Sequence, residues 1–258
     1  AAAAEASRLY SALPSFCRVA ATLTPSSDSD IKIEVWLPAS GWNGKFQAVG
    51  NGGWAGVISY SALAAAVDDG YASASTDTGH VGSTGAFALG HPEKLIDFGH
   101  RAVHEMTVQA KATVDAYYGS APTLSLWNGC SQGGRQGIME AMRYPSDFDA
   151  IAAGAASVGQ TLLHGVRMAM HPIVHRSADS YIPPEKYPFI HKAVLQACDA
   201  ADGLADGVVE NPKRCRFDPK VLECKGGDSS SCRTPAQVET VRSLYAPLKH
   251  PATGMQLF

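Results

Sequence analysis

With 258 residues, the chain has room for one large domain, or one domain and part of a second. An apolar content of 45% supplies a core, and 25 glycines with 15 prolines exclude a coiled coil. The net charge of −3 leaves no basic footprint for nucleic acid, and apolar runs such as residues 61–67 are far shorter than the roughly 20 residues of a membrane span. Neither nucleic acid nor a membrane is therefore an expected partner.

Residues 31–36 alternate apolar and polar side chains, which predicts a strand. A short strand follows over 46–49 and ends in Gly50, Asn51, Gly52 and Gly53. Residues 61–68 read as a helix and 71–75 as a third strand. Leu95, Phe98, Ala102, Val103, Met106, Ala110 and Val114 recur at helical spacing and predict one helix over 94–118. A strand over 123–127, a glycine-rich turn over 129–137, a helix over 138–143 and a strand over 149–153 complete the series. Strands alternating with helices predict an α/β fold with a parallel-rich sheet. After residue 157 the alternation stops. Helices are expected over 158–175, 185–197 and 235–245, with a loop-like stretch over 198–231. The predicted division is a β-rich domain over 1–157 and a helix-and-loop region over 158–258.

The six cysteines are Cys17, Cys130, Cys198, Cys215, Cys224 and Cys232. None forms the C-x2-C pair usual for zinc. Four crowd into the 35 residues from Cys198 to Cys232, which reads as disulfides and an oxidising compartment, secreted or periplasmic.

Gly129-Cys130-Ser131-Gln132-Gly133 is a G-x-S-x-G sequence between a predicted strand and a predicted helix. A serine at so sharp a turn needs glycine neighbours and holds its hydroxyl above the sheet edge. Ser131 is the expected nucleophile, and the Gln132 N–H the first oxyanion donor; the alternative is a tight turn without chemistry. Gly52 or Gly53, after the second predicted strand, could supply the second donor, or form a plain β-turn.

The serine also needs a base and a carboxylate to orient it. None of His164, His171, His175, His191 and His250 follows a predicted strand; His250 is the least unsuitable. Asp77 and His80 do follow one, and are read as positioning residues. His100 and His104 have metal-pair spacing but no third ligand, so they are read as structural. The catalytic Asp and His are not found in this chain.

The run from Gly129 to Gly137, the sequence Tyr144-Pro145-Ser146-Asp147-Phe148-Asp149, His104-Glu105-Met106-Thr107 and Tyr117-Tyr118-Gly119 together resemble the tannase and feruloyl esterase family, which includes mono(hydroxyethyl)terephthalate hydrolases. The resemblance implies an α/β-hydrolase core with a late-inserted lid beginning near residue 157. It implies that this chain is the N-terminal half of a longer protein, with a C-terminal segment as partner. It also implies that Cys130 bonds a Cys beside the catalytic His, outside this chain. A lid calcium site is implied at Asp199, Asp202 and Asp206, with the carbonyls of Leu204 and Val208, and the pairs Cys198–Cys215 and Cys224–Cys232 would brace it. The function so implied is a serine carboxylesterase of phenolic or aromatic acid esters, feruloyl or galloyl, with a small aromatic ester as substrate. The rival readings are a calcium-braced scaffold lacking its base, and a lipase or peptidase on the same fold.

Overall fold

The computed structural model describes residues 10, 11, 13–250 and 252–256. The chain divides into two compact units, residues 1–158 and 159–258.

The first unit is built on a six-stranded sheet: β1 (Phe16–Leu23), β2 (Ile31–Pro38), β3 (Lys45–Val49), β4 (Ala72–Thr76), β5 (Leu124–Cys130) and β6 (Ala150–Gly154). Their order is β1-β2-β4-β3-β5-β6. The last four are mutually parallel, whereas β2 runs antiparallel to both β1 and β4. A mostly parallel sheet with helices on it bears out the α/β expectation.

The two faces of β2 show why the sheet is a central layer. Ile31, Ile33, Val35 and Leu37 join Phe46, Ala72, Ala74 and Trp127 in the main core. The helix α3 (Ala102–Tyr118) closes that core with Val103, Met106, Ala110 and Val114. On the opposite face Trp36 packs with Leu63 and Val67 of α1 (Tyr60–Asp68). Each large side chain so buried stabilises the fold by roughly 1.5–3 kcal/mol.

The helix expected over 94–118 is interrupted. A short α2 (Pro92–Ile96) passes through a π-helical turn (Asp97–Arg101) into α3. The glycine-rich turn expected over 129–137 is also corrected. β5 runs on to Cys130 and α4 (Gln132–Arg143) begins one residue later, so the turn is Ser131 alone. Gly133, Gly134 and Gly137 lie inside the helix and serve packing: a Cβ at Gly137 would lie 2.6 Å from the Trp127 ring. β1, a half-exposed edge strand, is an addition to the predicted elements.

The second unit contains α5 (Gln160–Val174), α6 (Tyr187–Cys198) and α7 (Pro235–Tyr245). Ile182, Ile190 and Val241 form its small core, with Val194, Phe217 and Leu222 against it. Thr234 and Gln237 make a reciprocal capping box at the start of α7. Disulfides join Cys198 to Cys215 and Cys224 to Cys232. Among the described residues, no helix is long and apolar enough to cross a membrane.

Candidate active site

Ser131 joins β5 to α4 with φ 58° and ψ −115°, a conformation that side-chain-bearing residues rarely adopt. The neighbouring glycines are what permit it. A Cβ at Gly129 would lie 2.5 Å from the Gly133 backbone, and one at Gly133 3.2 Å from the Asn51 carbonyl oxygen. The strained turn is pinned on both sides. The Ser131 N–H donates to the Gly154 carbonyl at 2.9 Å, and its own carbonyl accepts from Arg135 and Ser157 N–H groups at 3.0 and 3.2 Å. The exposed Ser131 hydroxyl lies 3.4 Å from that of Ser157. The open N–H groups of the first turn of α4, beginning at Gln132, bring positive potential to this spot.

Arg135 fixes the same helix from below. Its guanidinium donates to Gln132 Oε1 at 2.9 Å, and to the Gly99 and Phe98 carbonyls in the π-helical turn at 2.9 and 3.1 Å. The interrupted helix thus presents carbonyls that a regular one would keep for itself.

The loop after β3 is tied to α4 by Asn51 and Gln136. The Asn51 N–H donates to Gln136 Oε1 at 3.1 Å, and Gln136 Nε2 donates to Asn51 Oδ1 at 2.9 Å. Asn51 Nδ2 reaches the Val57 and Thr76 carbonyls. Sequence reasoning overlooked Gln136, although it lies in the glycine-rich run. Beyond Asn51, the Ala55 N–H donates to the Gly52 carbonyl at 3.0 Å, forming a turn with Gly53 at φ 57°. Gly52 and Gly53 are exposed, with open space where a side chain would stand.

His80 braces this loop, and Asp77 holds the neighbouring turn after β4. His80 Nε2 donates to the Trp54 carbonyl at 2.8 Å, and its ring stacks on Phe87 at 3.8 Å. Asp77 Oδ1 accepts from the Lys32 and Gly79 N–H groups. Burial raises the Asp77 pKa against the pull of those donors.

The other histidines of this unit are engaged elsewhere: His91 with Asp28, His100 with the Tyr144 hydroxyl, His104 with Asp147. Among the described residues of the unit, no histidine bonds Ser131. In the second unit, His250 Nδ1 accepts from the Ala252 and Thr253 N–H groups. The His171 and His175 rings pack together at 4.5 Å. Cys130 is exposed and Cys17 half-buried, and neither is bridged within this chain.

In the acidic loop, Asp199 accepts from the Gly207 N–H, Asp202 from Leu204 and Asp206 from Val208. The Cys198–Cys215 disulfide closes it. The three carboxylates do not all converge within 4.8 Å of one another; the described groups that do are His104, Glu140 and Asp147, and Cys224, Asp228 and Cys232.

The family model described as "Tannase and feruloyl esterase" matches residues 17–258. An "Uncharacterized esterase" of Xanthomonas campestris pv. campestris is 42% identical over 249 residues, covering 96% of this chain and 43% of that protein. A "Probable feruloyl esterase B-2" of Aspergillus flavus is 39% identical, covering 90% of this chain and 45% of that protein. The crystal structure of feruloyl esterase B from Aspergillus oryzae superposes with a TM-score of 0.83 at 32% identity, over 94% of this chain and 49% of that one. The chain thus spans about half the length of the relatives it matches. With an α/β-hydrolase sheet, a strained serine between β5 and α4, and a family match running from Cys17 onward, the chain belongs to the tannase and feruloyl esterase family.

Proposed function

We propose that this chain carries the nucleophile of a serine carboxylesterase that hydrolyses esters of phenolic or aromatic acids, feruloyl or galloyl. The observation that carries the reading is Ser131: a non-glycine residue at φ 58°, exposed, at the head of a helix. Such strain persists only where surrounding contacts over-determine it, and here it lifts the hydroxyl clear of the sheet. Ser131 Oγ adds to the ester carbonyl, the alcohol leaves, and water releases the acid from the acyl-enzyme. Negative charge on the carbonyl oxygen is met by the Gln132 N–H and by an N–H of Gly52 or Gly53, each donor worth about 3 kcal/mol of barrier. Related proteins named feruloyl esterases support the substrate class.

The base and its carboxylate come, in this reading, from a C-terminal segment of the same protein. A Cys of that segment, beside the base histidine, bonds the exposed Cys130. The region from residue 158 onward is, in this reading, the first part of the family's lid domain.

The oxygen-only donor set of the acidic loop fits calcium in kind. Asp199, Asp202 and Asp206, with the Leu204 and Val208 carbonyls, would hold the ion once the carboxylates turn inward. Its contribution there is structural. Together with two disulfides in the described residues, this fits a secreted or periplasmic protein.

The experiment is Ser131→Ala in the protein at its natural length, assayed on methyl ferulate and methyl gallate. Loss of at least a thousandfold in kcat with an unchanged melting temperature supports the reading. Turnover within tenfold of wild type excludes Ser131.

A further inference from the structure

Glu140 lies on α4, more than two turns beyond Ser131, and is 1% exposed. No neighbouring N–H or hydroxyl group among the described residues donates to either of its carboxyl oxygens. An ionised carboxylate left so would be strongly destabilising, so something must neutralise it. One Glu140 oxygen lies within 4.8 Å of an Asp147 oxygen and of a His104 ring nitrogen. Asp147 Oδ2 already accepts from His104 Nδ1 at 2.7 Å, and the His104 ring stacks on Tyr144 at 3.8 Å. Two carboxyls and one imidazole thus crowd together, and only Asp147 bonds the ring.

The other charged groups nearby do not bond either carboxyl. Lys111 Nζ donates to the Asp147 backbone carbonyl, not to its side chain. Arg143 of α4 acts on His100 and Tyr144, Arg135 and Arg101 act on His100, and Glu105 of α3 acts on Tyr144. A cation between the three groups is disfavoured by geometry, because the His104 nitrogen already points its bond at Asp147.

We propose that Glu140 is a neutral acid whose O–H donates to Asp147, so that one shared proton completes a chain from α3 through His104, Asp147 and Glu140 to the helix that carries Ser131. Glu140 is then a positioning residue for the nucleophile's helix. The shared proton stands without the esterase reading; only its effect on Ser131 rests on that reading. Burial first, then the Asp147 charge and hydrogen bonding to Asp147, push Glu140 from its ordinary 4.5 up to about 9. For an acid raised in the folded state, the stabilisation is complete below the unfolded value and drains away as pH climbs towards the folded one. Between pH 4.5 and 9 the unfolding equilibrium should shift about tenfold per pH unit from this group alone.

The test uses wild type and Glu140→Gln at natural length, unfolded in urea from pH 5 to 8.5. Glutamine keeps a neutral donor but cannot titrate, so the variant should lose that tenfold-per-unit slope. An unchanged slope overturns the proposal, as does stoichiometric divalent metal in wild type that is lost from the variant. Should Glu140→Gln not fold, carboxyl-13C NMR of wild type decides. A glutamate still neutral at pH 7 supports the proposal; all glutamates titrating below pH 6 overturn it. The positioning role is read in kcat, which should fall in wild type above about pH 9 but not in the variant. A limb retained in the variant removes that role and leaves the shared proton to the other two measurements.

Discussion

Asn51 and Gln136 exchange two hydrogen bonds, at 3.1 and 2.9 Å, between the loop after β3 and the helix that follows Ser131. Both are buried, and they are 85 residues apart in sequence. This pair holds the proposed second oxyanion donor at a fixed distance from the proposed nucleophile.

Gln136→Leu should therefore damage rate more than binding. Two buried polar groups of Asn51 lose their partner, at a cost of about 1–3 kcal/mol in stability. In the protein at natural length we expect kcat to fall tenfold or more with KM changed less than threefold. Steady-state kinetics on methyl ferulate, alongside urea unfolding, check this.

Replacing the elbow glycines should separate strain from chemistry. Gly129→Ala drives a Cβ to 2.5 Å from the backbone of Gly133 and should abolish folding. Gly133→Ala meets Asn51 and Gly50 at 3.2 Å, so the loop must give way. Folded protein with reduced kcat is expected there, measured by circular dichroism and turnover.

Glu34 supplies a stability prediction at the far end of the sheet. Burial raises its pKa, but Arg18, Trp36 and Tyr60 hydrogen bonds outweigh that, and it sits below the ordinary carboxylate value. A lowered carboxylate stabilises above its unfolded pKa, and that contribution is lost as pH falls through the folded one. Arg18 is half exposed, so Arg18→Met should cost only about 1 kcal/mol at pH 7. The gap between variant and wild type should narrow towards pH 3 in urea titrations.

Calcium should stabilise by mass action if the acidic loop binds it. Excess chelator is expected to lower the melting temperature, and added calcium to restore it. Asp202→Asn combined with Asp206→Asn should remove the response. Differential scanning calorimetry reads all three.

The sheet was legible because β2, β3, β4 and β5 carry local apolar patterns that tertiary packing reinforces. β1 was not, since an edge strand with Arg18 and exposed alanines has little alternation to read. The π-helical turn was invisible because the group that takes up its Gly99 and Phe98 carbonyls, Arg135, lies 36 and 37 residues along the chain. The place of Ser131 between a strand and a helix could be read from its motif alone. Gln136 and Glu140 could not: Asn51, which bonds Gln136, comes from a separate segment, and Asp147, which faces Glu140, lies past the end of α4. The glycines of α4 misled for a related reason: a close helix–strand approach and a loose turn ask for the same residue.

The central claim is that Ser131 is the nucleophile, and covalent trapping tests it most directly. The protein at natural length, treated with a fluorophosphonate and digested, should carry one phosphonyl group on the peptide containing Ser131, with activity lost in proportion. Stoichiometric inactivation with the label on any other residue would contradict the account.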